Sequence, residues 1–291
     1  MKIAVVHYHL EPGGVTRVIE NTFDAFEQSP ERPNFVVLSG RPYFGQKIKD
    51  IAVVEGLDYS NPSQAPDPTH LRESLEKAAK ESLGTAPDLW HVHNHSLGKN
   101  PALTEAIYQL AERGHPLLLH IHDFAEDGRP ANYRALSAVR NRLYPSGSHI
   151  RYAALNRRDH HFLADLSSDH PAPILLPNAI PEPAHAKSPC EKVDLPEQLH
   201  LYPVRAVRRK NLGELALLAA AHSDLHFANS LGPTNPEFRP KYERWKAFSV
   251  ERNLPLTFGI GENPDLSFSE VVNASQALVT TSVAEGFGLG F

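Results

Sequence analysis

Short apolar runs alternate with amphipathic helical stretches along almost the whole chain, and no other feature narrows the fold as much. The first run, IAVVHY at 3–8, ends in the turn Glu11-Pro12-Gly13-Gly14. That turn opens a helical pattern carried by Val15, Val18, Ile19, Phe23 and Phe26. Strand, glycine turn and helix in that order begin a Rossmann-like unit. Further strands are expected at 34–39, 51–54, 88–93, 116–122, 150–155 and 173–177, and helices at 71–83, 101–111 and 132–143. A proline-rich stretch with little periodicity follows, and then the alternation restarts. Strands are expected at 199–206, 225–231, 254–260 and 276–282, and helices at 211–222, 236–253 and 267–275. The pattern therefore predicts an α/β protein of two parallel domains: 1–180, a linker at 181–198, and 199–291.

The 291 residues suffice for two ordinary cores, and 41% hydrophobic with 22% charged residues is a globular balance. The net charge of -5 gives no global basic field of the kind nucleic acid requires, so nucleic acid is not expected as a partner. Two basic runs, Arg157-Arg158 and Arg208-Arg209-Lys210, are local. A single cysteine, Cys190, makes neither an internal disulfide nor a cysteine metal cluster, and a reducing cytoplasm is the expected setting. The amino terminus is too short in apolar residues for a signal segment, and no run reaches membrane-span length. Peripheral membrane contact and oligomeric state are left open.

Several motifs sit where a strand hands over to a helix. Gly13 and Gly14 let a ligand approach the backbone, beside the free N–H groups of a helix start that suit an anion; a plain βα turn reads the same way. Arg205 ends one strand and Lys210 follows at the next helix entry, where two cations could hold a diphosphate or simply form a solvated basic turn. Glu285-Gly286-Phe287-Gly288-Leu289 offers a carboxylate for sugar hydroxyls and two glycines whose amides can bind oxygens. Its plainer reading is a capped strand-to-helix turn. His122-Asp123 closes the strand PLLLHIH. His91, His93 and His95 alternate, and share a strand face if residue 95 stays extended. Without a carboxylate or cysteine companion the trio reads as a strand entering a polar cleft rather than a metal site. His160-His161 and the pair His7 and His9 are read the same way.

Taken in order, PGGVTRV (12–18), DLWHVHNHS (88–96), LLLHIHDF (117–124), LPNAIP (176–181), VRAVRRKNL (204–212) and TSVAEGFGLG (281–290) resemble the retaining GT-B glycosyltransferases of family 4. The resemblance implies two Rossmann-like domains facing a cleft. It implies an acceptor side at 1–180 and a donor side at 199–291. By resemblance, Gly13 and Gly14 border the donor, His122 and Asp123 lie near the transferred sugar and acceptor, and Arg205 and Lys210 bind the diphosphate. Glu285 matches the first glutamate of the family's Glu-x7-Glu pair and would contact sugar hydroxyls, with Gly286, Phe287, Gly288 and Leu289 lining the donor. Asn211 stands where the family often has glycine. The second glutamate would fall beyond Phe291, so a fragment of a longer protein with an incomplete second domain is expected.

The resemblance also implies chemistry. A nucleotide sugar serves as co-substrate, and no metal or other cofactor is required because cations hold the leaving diphosphate. An acceptor hydroxyl attacks from the face the leaving group departs, with retention of anomeric configuration. Its proton passes to the departing phosphate. Two alternatives stand beside this: a GT-B sugar-nucleotide epimerase, for which Glu11, Asp123, Glu126 and Asp127 are candidate acids and bases, and a chain that binds sugar nucleotide without turnover.

Overall fold

The computed structural model describes residues 1–166, 171–179, 194–234 and 236–283. Cys190, most of the expected linker, and Glu285 through Leu289 lie outside the described residues. The chain divides into two compact units, whose described parts are 1–179 and 194–283.

The amino-terminal unit is a seven-stranded, wholly parallel sheet in the order β3-β2-β1-β4-β5-β6-β7. Its strands are β1 (Lys2–His7), β2 (Asn34–Ser39), β3 (Ile51–Val53), β4 (Leu89–His93), β5 (Leu117–Ile121), β6 (Ile150–Ala154) and β7 (Ile174–Leu175). The order reverses between β1 and β4, which makes their carboxyl ends the switch point where ligands settle in such sheets. Alternate residues of each strand feed two cores. Ala4 and Val6 join Trp90, Val92, Leu117 and Leu119 under α2 (Pro68–Leu83) and α3 (Pro101–Glu112). Ile3 and Val5 join Phe35 and Val37 under Ile19 and Phe23 of α1 (Gly14–Glu27).

Local chemistry fixes where these helices begin and end. The Asp67 side chain accepts from His70 N at 2.8 Å, Pro68 opens α2, and Gly84 at φ 74° closes it. Asn100 accepts from the amides of Ala102 and Leu103, with Pro101 in the first turn of α3. The stretch expected as one helix at 132–143 is two pieces: α4 (Pro130–Ala135) and a 3-10 segment at Ser137–Arg142. They part at Leu136, whose ψ of 2° leaves the α-helical basin while its side chain buries with Ala125 and Leu143. Helix α5 (Arg157–Asp165) has no counterpart in the hydrophobic pattern. It is too polar to show a clear apolar stripe, and Asn156 starts it by accepting from Asp159 N at 2.9 Å.

The carboxyl-terminal unit holds a four-stranded parallel sheet in the order β10-β9-β8-β11. Its strands are β8 (Leu199–Arg205), β9 (His226–Leu231), β10 (Leu256–Phe258) and β11 (Ala277–Leu278). Helices α6 (Leu212–Ala221), α7 (Arg239–Glu251) and α8 (Phe268–Ala274) complete its described part. Here the order reverses at β8. The helix expected at 236–253 starts as a 3-10 turn, Pro236–Phe238, and becomes α-helical only at Arg239, with Pro240 in its first turn. β10 stops at Phe258 because Gly259, at φ 72°, turns the chain. β11 is shorter than the expected 276–282 because its continuation leaves the sheet for other partners, described below.

Candidate functional site

On the α1 side of the amino-terminal sheet, the strands change character toward their carboxyl ends. Parallel register and period-two alternation place Ile3, Val5 and His7 of β1, Leu89, His91 and His93 of β4, and Leu118, His120 and His122 at β5 on this face. The apolar layer gives way to five imidazoles. His91 Nε2 lies 3.2 Å from His120 Nδ1, and His93 Nδ1 lies 2.8 Å from His122 Nε2. The His91 and His120 rings stack at 14° with centroids 5.4 Å apart. The His7 ring meets the edge of His93. Burial first, and then the neighbouring imidazoles, hold these rings neutral. His7 and His91 are lowered to about 3 and His120 to about 4, the last by burial. His93 and His122 are pushed well below the ordinary histidine value by burial and then by neighbouring imidazoles.

The expected trio is corrected in one member. β4 ends at His93, and Asn94, at φ 57°, swings the chain away, so His95 does not share the face. The His95 Nε2 instead bonds the Leu143 carbonyl at 2.8 Å, and burial lowers that ring to about 4. The companions that the spacing within β4 did not reveal come from the neighbouring strands: His120, His122 and His7. The alternation His120-x-His122 was the available signal, since parallel pairing of two such strands stacks their imidazoles.

His122 itself is buried, and its amide donates to Asn94 Oδ1 at 2.8 Å, as the Asp123 amide does at 3.2 Å. Tyr8 donates to the Asn94 carbonyl at 2.7 Å. One asparagine thus ties together the ends of β1, β4 and β5. Gly13 is extended, at φ -173°, and a Cβ there would meet nothing closer than 3.7 Å; Gly14 has open space. The turn therefore does not need glycine for its backbone geometry. What the two glycines leave is a bare α1 start without a side-chain cap.

Charged groups ring the same strand ends. Lys99 is half-buried, its Nζ stands 5.1 Å from the Tyr59 ring centre, and burial and then Arg129 lower its pKa. The four carboxylates considered as epimerase acids or bases all have partners. Arg41 bonds both Glu11 and Asp58, Arg129 holds Asp123 at 2.5 Å, Tyr144 donates to Glu126 at 3.2 Å, and Arg158 pairs with Asp127. A cavity of about 500 Å³ opens beside Glu126 and Asp127, lined also by Phe124, Tyr144, Arg158, Phe162 and Leu166. His160 bonds the Pro173 carbonyl, and His9 accepts from the Glu11 amide.

In the carboxyl-terminal unit, Arg205 ends β8 at the switch point and donates to the Gly232 carbonyl at 3.3 Å. Arg208–Lys210 form a 3-10 turn, and Asn211 follows at φ 50°, ψ 54°. Asparagine tolerates that left-handed conformation better than other side-chain-bearing residues do. The chain after β11 returns to this turn. Thr281 Oγ1 donates to the carbonyls of Lys210 at 3.0 Å and Asn211 at 3.1 Å, and Val283 N donates to Arg209 O at 3.0 Å. Tyr202 and Ser282 hydroxyls lie 2.5 Å apart. The segment leading into Ala284 is therefore strapped onto the basic turn. Gly232 N, in turn, donates to Glu262 at 2.8 Å.

No model of a known protein family matches the chain. The sequence is 26% identical over 313 aligned positions to the mannosylglucosyl-3-phosphoglycerate synthase of Petrotoga mobilis, covering 98% of this chain and 61% of that protein. The chain thus spans less than two thirds of that relative. Among solved structures it resembles Anabaena HepE in complex with UDP-glucose, with a TM-score of 0.65 at 14% identity over 98% of this chain and 74% of the other. It also resembles the catalytic domain of Arabidopsis thaliana starch synthase IV bound to ADP and acarbose, with a TM-score of 0.59 at 11% identity, covering 98% and 78%. For S. aureus MnaA with UDP the TM-score is 0.54 at 12% identity, covering 95% and 73%. The fold is thereby the mixed α/β, parallel-sheet fold of the GT-B class. Among the described residues, no helix is long and apolar enough to cross a membrane.

Proposed function

We propose that the chain serves a nucleotide-sugar-dependent hexosyltransferase that works with retention of anomeric configuration. The observation that carries this reading is the basic turn at the switch point of the carboxyl-terminal sheet, with Thr281 and Val283 bonded to its backbone. Two cations five residues apart, Arg205 and Lys210, suit a diphosphate: a guanidinium binds its oxygens in pairs and an ammonium adds a point charge. Charge grows on the leaving phosphate as the glycosidic bond breaks, and preorganised cations stabilise it more in that state than before it. The diphosphate then has its counter-charges without a metal. The departing phosphate oxygen takes the proton of the attacking hydroxyl, so a carboxylate base is not needed. In this reading Glu285 and the Gly286–Leu289 stretch contact the donor sugar and diphosphate, Gly13 and Gly14 border the donor, and His122 and Asp123 serve the transferred sugar and acceptor.

The relative's name points to a glucosylated 3-phosphoglycerate as acceptor and a mannosyl donor. An anionic acceptor accords with the half-buried Lys99 of the amino-terminal unit, whose Nζ stands over the Tyr59 ring, while Arg129 beside it is already paired with Asp123. The partners are thus a nucleotide-sugar donor and an anionic acceptor. The epimerase alternative gains nothing from the four carboxylates, each of which already has a hydrogen-bonding or ionic partner.

The test is a product assay. The full-length protein is incubated with GDP- and UDP-hexoses and either glucosyl-3-phosphoglycerate or 3-phosphoglycerate, and the new anomeric centre is read by NMR. Hexose transfer with the donor's anomeric configuration is expected. Epimerised donor without transfer, or an inverted product, would overturn the reading.

A further inference from the structure

The imidazole array is larger than the transferase chemistry uses. That chemistry engages His122 alone, yet five rings gather at the ends of β1, β4 and β5. Two ring–ring contacts, His91 with His120 and His93 with His122, tie four of the rings in pairs.

Ring nitrogens of His91, His93 and His120 all lie within 4.8 Å of one another. The separation of His91 Nε2 and His120 Nδ1, 3.2 Å, is close to the roughly 3.3 Å that two nitrogens span on a tetrahedral ion with bonds of about 2.0–2.1 Å. We propose that His91, His93 and His120 form a binding site for one divalent transition-metal ion of the zinc or cobalt class. An all-imidazole donor set selects such ions over magnesium or calcium, which take oxygen ligands. The three residues stand on adjacent paired strands, so backbone register rather than loop conformation sets their spacing. His122, bonded to His93 Nδ1, is the outer partner that orients the His93 ring and leaves its other nitrogen for the ion. Of the three, His91 is the least buried. The site lies wholly within the amino-terminal unit, and the inference does not depend on the transferase reading.

The experiment uses the untagged chain after chelator treatment, titrated with cobalt(II) and zinc(II). Calorimetry should give one ion per chain, and cobalt should develop the visible absorption of a tetrahedral site, displaced by zinc. His91→Asn and His120→Asn should each weaken binding at least tenfold with the circular dichroism unchanged, whereas His160→Asn with His161→Asn should not. In case the single variants misfold, histidine-ring ¹⁵N spectra of the wild-type chain provide a readout without mutation. Zinc should shift the ring nitrogens of His91, His93 and His120 together. No stoichiometric binding, or shifts confined to other histidines such as His160 and His161, would overturn the proposal.

Discussion

The two units treat their switch points in opposite ways. The amino-terminal unit draws five imidazoles into the face of its sheet and keeps them neutral by burial. The carboxyl-terminal unit sets Arg205, Arg208, Arg209 and Lys210 on an exposed or half-exposed turn and anchors that turn through its backbone carbonyls. Arginine and lysine stay ionised at the surface, whereas a histidine desolvated on a sheet gives up its charge. One sheet end is thereby built to present lone pairs and the other to present positive charge. The difference follows from where each residue type sits relative to the ladder.

Acid should separate the two units most sharply. A buried imidazole held neutral in the folded state protonates in the unfolded chain near pH 6.5. Below that pH the unfolded chain binds more protons, so stability falls as pH falls. The loss runs from about pH 6.5 down to the folded values near 3 to 4, each such ring adding a slope of up to about 1.4 kcal/mol per pH unit. In the metal-free chain, hydrogen exchange between pH 7 and 4.5 should therefore show β4 and β5 losing several kcal/mol of protection, while β8 and β9, where the partly buried His226 is the one histidine among the described residues that burial lowers, lose much less. Equal losses in both sheets would break the comparison. Next in size, Lys210→Ala should lower kcat by on the order of 10²–10³, about 3–4 kcal/mol, through lost stabilisation of the leaving diphosphate. An unchanged kcat with only a raised KM would assign Lys210 to ground-state binding instead.

Backbone geometry gives the smaller effects. Asn211 occupies the left-handed region, so Asn211→Val should destabilise the carboxyl-terminal unit by about 1–2 kcal/mol, while Asn211→Gly should be near neutral. Denaturant midpoints of the two variants decide it, and equal midpoints would mean that the turn relaxes. Thr281→Val removes the hydroxyl that reaches the Lys210 and Asn211 carbonyls and should cost about 1 kcal/mol, read as a lower thermal midpoint with a weaker donor affinity.

The strands and most helices were legible because buried parallel strands read as apolar runs and amphipathic helices carry their own period. The basic turn was legible because a strand-end arginine and a helix-entry lysine lie close in the chain. The imidazole array was not. Its members come from three strands, and only the register of β4 on β5 joins His91 to His120. Spacing within β4 alone pointed instead to His95, which a single left-handed asparagine removes. Helix α5 escaped because its start is set by Asn156 and Asp159 rather than by an apolar stripe. The shortening of β11 likewise depends on distant partners, the carbonyls at 209–211, which no local pattern announces.

Titration calorimetry of a nucleoside diphosphate into the wild-type chain and into the Arg205→Ala, Lys210→Ala double variant tests the account at its centre. Wild-type binding that weakens as salt rises, and falls at least a hundredfold in the double variant with the fold intact by circular dichroism, is the predicted result. A nucleoside diphosphate that binds both proteins equally would contradict the assignment of the basic turn as the seat of the donor's charge.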